Sequence, residues 1–315
     1  MSGVSKEQIA QAKEWDLLSY LQTREPNELM RCGPHEYCTR THDSLKISKG
    51  KWCWNSRGIG GRTALDYLIK VRGISFTEAV HTLCGFTPSP PQQAVPTLHK
   101  PFRLPEAARY PVAVVAYLQS RGIHPEIIGA CLNAGILYES KRHRNCVFVG
   151  RDMQGQARSA SLRGTQDSFR IDTVGSDKCF GFYLPAGKMD CSRLAVAESP
   201  IDALSLATLV KLSGGDWRDN FYLSLGGTGE KALLQFLYDH PMATDISLCL
   251  DNDQAGLIGM NRLEQAIQRD SGLSRQVKQV YHNPPPAEHG KDYNELLCSR
   301  VAALREQSRH SREGR

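Results

Sequence analysis

Two apolar runs in this chain end on acids. ISLCLDNDQAGLIG, residues 246 to 259, carries an apolar segment into Asp251 and Asp253, and LAVAE closes on Glu198. If these runs are strands of an alternating sheet, the acids stand in the crevice beyond the strand ends. Asp253, two positions after Asp251, then points the same way while the chain stays extended. Three converging carboxylates repel one another and hold protons more tightly unless a cation neutralises them. Mg²⁺ or Mn²⁺, which take oxygen ligands and few protein carboxylates, suit the place. Asp202, one helical turn after Glu198, is a further ligand or an orienting group. For any single acid the alternative is a helix N-cap.

Two other clusters could do chemistry. Residues 141 to 170 hold seven Lys and Arg against Asp152 and Asp167, within RNCVFVGRDMQGQARSASLRG and its flanks. A strand that exposes Arg beside a cluster of carboxylates can neutralise phosphates without reading base sequence, or it is a solvated strand face. Further upstream, Cys32, His35, Cys38, His42 and Cys53 lie within a short span, and zinc asks for four N or S ligands in a tetrahedron. Two readings stand there. Either zinc is held by Cys32, His35, Cys38 and Cys53 with His42 as a substitute, or Trp52, Trp54 and Cys53 hold the segment by packing.

The elements that must position these residues follow from periodicity. KEQIAQAKEWDLLSYLQ has helical apolar spacing, SLKISKGKWCWNS reads as a hairpin, and TALDYLIKVRG and SFTEAVHTLCG read as short helices ending on Gly73 and Gly85. Prolines at 88, 90, 91, 96 and 101 mark a linker. After it come two helices broken at Gly122 and a hairpin that turns at Met153 to Gly155. From Arg193 strands and helices alternate, which implies a parallel sheet with helices on its faces. SLGGTGEK, residues 224 to 231, is a glycine-rich turn whose free N–H groups could meet a phosphate.

As an ordered set, Glu198-x3-Asp202, SLGGTG, Asp251-x-Asp253-x-Ala255-Gly256 and GKDYNELL resemble the toprim domain of bacterial DnaG-type primases, topoisomerases and some nucleases. The hairpin from Arg144 and the stretch GSDKCFGFYLP resemble the primase catalytic core. The cysteine and histidine segment is similar to the primase zinc domain, with its second pair reduced to Cys53 and Ser56.

The resemblance implies an α/β and α+β multidomain chain. A small zinc-ribbon-like domain would span 1–86, a proline-rich linker 87–101, a basic α+β core 102–190, a toprim domain with a Rossmann-like parallel sheet 191–298 and a basic tail 299–315. Glu198 would be a general acid or base, with Asp251 and Asp253 holding Mg²⁺. Arg144, Asn145, Arg151, Arg163, Lys178 and Lys291 would face the template or the incoming triphosphate. The implied partners are single-stranded DNA, nucleoside triphosphates, and a helicase or other replication proteins. The implied setting is plasmid or mobile-element replication. A metal-dependent nuclease and a non-catalytic single-strand-binding factor are the competing readings.

Composition sets the outer bounds. With 315 residues, a net charge of +6 and ten scattered cysteines, the chain has room for more than one core and lacks the dense spacing of a secreted disulfide scaffold. Its N-terminal residues show no apolar signal core, and no apolar run approaches the length of a membrane span. A reduced, cytoplasmic protein with no membrane partner is expected.

Overall fold

A computed structural model describes residues 4–33, 36–85, 101–188 and 190–313, without the side chains of Ser56 and of residues 308–313. The chain divides into two compact units, Met1–Leu98 and His99–Arg315. The expected linker falls almost wholly outside the described residues.

In the first unit α1 (Lys6–Lys13) and α2 (Leu17–Arg24) replace the single helical run expected. Asp16 is the reason: its carboxylate accepts the Ser19 N–H at 3.0 Å and starts a new helix. Strands β1 (Leu29–Gly33), β2 (Glu36–Thr39), β3 (Leu45–Ser48), β4 (Lys51–Trp54) and β5 (Ile59–Gly61) form one antiparallel sheet in chain order. Helices α3 (Ala64–Lys70) and α4 (Phe76–Cys84) complete the unit. Leu45, Ile47, Trp52 and Trp54 face a core shared with Trp15, Tyr67 and Leu68. The alternation of buried and open residues on β3 and β4 leaves Lys46, Lys51 and Cys53 on the other face.

The second unit opens with α5 (Val112–Ser120) and α6 (Pro125–Asn133). Between them Gly122 turns at φ +80°, where an added Cβ would meet Leu297 at 3.3 Å. Strands β6 (Leu137–Glu139), β7 (Cys146–Arg151), β8 (Ala157–Arg163) and β9 (Arg170–Asp172) form an antiparallel sheet in chain order. There follow β10 (Tyr183–Leu184), β11 (Arg193–Ala197), α7 (Pro200–Leu212), β12 (Phe221–Ser224), α8 (Lys231–Asp239), β13 (Asp245–Leu248), α9 (Gln254–Arg269), α10 (Leu273–Gln276), β14 (Gln279–His282) and α11 (Tyr293–Glu313). The second sheet has the order β10-β12-β11-β13-β14, parallel except at β10.

Along β11, Leu194 and Val196 enter a core with α8 and α9, while Ala197 enters one with α5, α6 and α7. That second core also takes Cys146 and Phe148 of β7, Phe182, and Leu297 of α11. No packing boundary therefore falls at residue 190: Phe148 and Phe182, whose rings meet edge to face with centroids 5.2 Å apart, share one core with Ala197, Ile201 and Leu297. Of the segment expected as a basic tail, residues 299–313 continue α11 as helix. Among the described residues no helix is long and apolar enough to cross a membrane.

Candidate functional site

A cleft of about 580 Å³ opens beyond the carboxyl ends of the parallel strands. Its lining brings Glu198, Asp202, Asp251 and Asp292 together with Arg121, Arg163, Arg170 and Lys291, and with the turn Gly226-Gly227.

Glu198 follows β11 directly. Its carbonyl accepts the Gly227 N–H at 3.0 Å and its Oε1 accepts the Asp251 N–H at 3.3 Å. Burial first, and then the charge on Asp251, push its carboxyl up to about 7. Ser199 caps α7 and Pro200 takes the first helical position, where its missing N–H costs nothing. Asp251 ends the run after β13, and burial likewise raises its carboxyl, against the pull of Lys291. Asp253 is the N-cap of α9 and accepts the Gly256 N–H at 2.9 Å. Burial opposes its ionisation, but that N–H and Lys291 together hold it below the ordinary aspartate range. At Gly256 an added Cβ would come within 2.0 Å of the Asp251 carbonyl oxygen, so the helix lies hard against the loop that carries both acids.

The expected pocket of three or four acidic ligands takes a different form. The Lys291 ammonium stands 3.2 Å from Asp251 and 3.0 Å from Asp253, so both carboxylates converge on one cation. Glu198 is turned to the backbone of Asp251. Asp202 is committed to structure: it accepts the Ser199 hydroxyl at 2.6 Å and the Asn294 N–H at 3.1 Å, which ties α7 to the start of α11. Among the described residues no three His, Cys, Asp or Glu side chains are grouped to hold a metal. Mutual repulsion explains this arrangement, since unscreened carboxylates separate or recruit a cation. Two oxygens already sharing one positive charge are nevertheless donors of the kind a hard divalent ion takes, and the pair fits such an ion in place of the ammonium.

The basic residues divide. Arg163 and Arg170 stand directly opposite each other on β8 and β9 and both line the cleft. Like charges in that register repel, and an anion between or above them removes the penalty. Arg163 also donates to the Tyr117 hydroxyl at 3.3 Å. Arg144 instead pairs with the buried Glu139 at 2.8 Å, and Asn145 is itself buried. Arg151 donates to the carbonyls of Gly155 and Gly135. These three lie outside the cleft lining and hold turns together. Lys178 pairs with Asp172 in a small adjoining hollow with Ser159, Ser161 and Ser176. The sequence reading did not name Arg121, Arg170 or Asn294. Arg170 had a signal, since it mirrors Arg163 across a short turn. Arg121 had none, because its place depends on Asn294, whose Oδ1 accepts its Nε–H at 2.5 Å.

In the first unit Cys38 and Cys53 both stand opposite Lys46, so a lysine occupies the middle of the cysteine face. Cys32 and Cys38 are both free thiols; burial first, and then a hydrogen bond with Cys38, raise the exposed Cys32 thiol. His42 stacks on Trp54 at 4.1 Å and the Arg57 guanidinium lies 4.4 Å from the same ring. His35 lies outside the described residues. The described residues do not fit a tetrahedral zinc: a positive charge separates Cys38 from Cys53, and the substitute His42 is spent on an indole.

Residues 195–297 match the family model described as toprim-like. The chain carries a toprim-like domain. The match takes in most of β11, all of β12 to β14 and the acids beyond the strand ends, and the fold is mixed α/β. Residues 116–189, which supply Arg121, Arg163 and Arg170, match a protein family of unknown function, DUF3991. The uncharacterized protein pXO2-78 of Bacillus anthracis is 27% identical over 333 residues, spanning 98% of this chain and 93% of that protein. The primase fragment of the bacteriophage T7 primase-helicase protein aligns over 85% of this chain and 94% of its own, at 19% identity and a TM-score of 0.41. The zinc-binding and RNA polymerase domains of the Aquifex aeolicus primase align over 96% and 85%, at 16% identity and a TM-score of 0.36.

Proposed function

We propose that this chain is a primase-like nucleotidyltransferase of a mobile element, which joins nucleoside triphosphates on single-stranded DNA with Mg²⁺ or Mn²⁺ in the cytoplasm. One observation carries the reading: carboxylates of a toprim-like domain and arginines of the segment before it line a single cleft. Template phosphates and a triphosphate are the anions that such arginines would hold, and backbone charge dominates binding of this kind.

Asp251 and Asp253 would hold the divalent ion, which when bound neutralises phosphate charge and activates a hydroxyl. Glu198, pushed up to about 7, can take or give a proton near neutral pH. Arg163 and Arg170 would orient the phosphates, and the Gly226-Gly227 turn lets them approach the backbone closely. A helicase or another replication protein is the expected partner in the cell.

The test is primer synthesis from ribonucleoside triphosphates on a single-stranded template. Wild-type chain is expected to make short products, and Asp251→Asn to reduce the rate by more than about 100-fold. Template cutting without nucleotides would move the reading to a nuclease. Tight single-strand binding that is unchanged in Asp251→Asn, with no product formed, would leave a binding factor.

A further inference from the structure

We infer that Lys291 is a built-in counter-ion of Asp251 and Asp253, which a divalent ion must displace, so that this lysine sets the cation affinity of the site. The inference rests on the metal-dependent reading above and adds what governs entry to the site.

Three observations point the same way. The ammonium contacts both carboxylates, at 3.2 Å and 3.0 Å, which is where a shared cation would have to stand. The lysine backbone is fixed at both ends: its N–H donates to the Glu295 carboxylate at 2.6 Å, and its carbonyl accepts the Asn252 N–H at 2.8 Å. Asn252 lies between the two acids, so the loop that carries them and the residue that neutralises them form one hydrogen-bonded piece. Asn252 is held again by the Pro285 carbonyl at 3.0 Å. Finally, the lysine side chain remains about half exposed, so it can swing into the cleft once another cation takes the oxygens. There it would meet phosphate with the charge it had lent to the acids.

A cation already in place weakens the binding of a second by the work of removing it. Mn²⁺ binding is therefore measured by the loss of the free-ion paramagnetic resonance signal at fixed pH and ionic strength. The full chain is compared with Lys291→Met, which keeps the length of the side chain, and with Lys291→Ala. Both variants should bind Mn²⁺ more tightly, by about 10-fold or more. Their ion-free forms should melt at a lower temperature than wild type, and adding Asp253→Asn to Lys291→Met should recover part of that loss.

Unchanged or weaker Mn²⁺ binding in both lysine variants would overturn the inference while leaving the metal-dependent reading intact. Saturable binding to wild type that persists in Asp251→Asn and Asp253→Asn would refute both, because the ion would then sit elsewhere. Absence of binding to every form would refute both as well. Binding to the lysine variants alone would support the inference in its strongest form.

Discussion

Asp202 keeps its proton longer than a solvated aspartate does, because burial pushes its carboxyl up to about 7 while Ser199 and Asn294 hold it only in part. A folded-state value above the unfolded one means that the folded chain binds more protons, so stability falls as pH rises. The contribution is fully present below the ordinary aspartate value and is lost as pH passes through about 7. Melting curves from about pH 4 to about pH 7 should show Asp202→Asn gaining on wild type as pH increases; a constant difference across that range would contradict the assignment. The sequence placed Asp202 with Glu198, as a further ligand or an orienting group, because it lies one helical turn beyond it. It could not distinguish an acid facing a cation from one joining two helices, since Asn294 lies far along the chain and meets it only in the folded state.

At the level of elements, the alternation from Arg193 onward was plain in the sequence. That alternation is realised as β11, α7, β12, α8, β13, α9 and β14, with LAVAE covering all of β11 but Arg193. The run ISLCLD gives a shorter strand, β13, that stops at Leu248, and the loop after it carries Asp251 and Asp253 to Lys291. Short strands such as β9 and β10 were not legible, for two or three residues carry no period. In the first unit the hairpin was legible and its fastening was left between zinc and packing of Trp52 and Trp54; His42, the substitute ligand, stacks on Trp54. Packing of that indole should therefore outweigh any metal. Trp54→Ala is expected to cost about 3–5 kcal/mol in urea unfolding, while a chelator should leave the wild-type melting temperature unchanged. A clear drop with chelator, restored by zinc, would reverse this conclusion.

For the molecule as a whole, the modest net charge of +6 matters less than where the arginines stand. Binding of a single-stranded oligonucleotide should weaken with salt, and Arg163→Ala and Arg170→Ala should each flatten the logarithmic slope by about 0.7. Arg144→Ala, which removes a partner of buried Glu139, should lower stability and leave the slope in place. Two separate family models meet near residue 190, yet one apolar core runs beneath both segments. Helix α7 is buried from Ile201 to Thr208, in contact with each. A helix buried on every side over that stretch has no face left there for water. A recombination event that exchanged only one of the two segments would strand that helix against a surface it had never met. Swapping either segment alone for that of a distant relative is therefore expected to lower the melting temperature, and swapping both together to restore it.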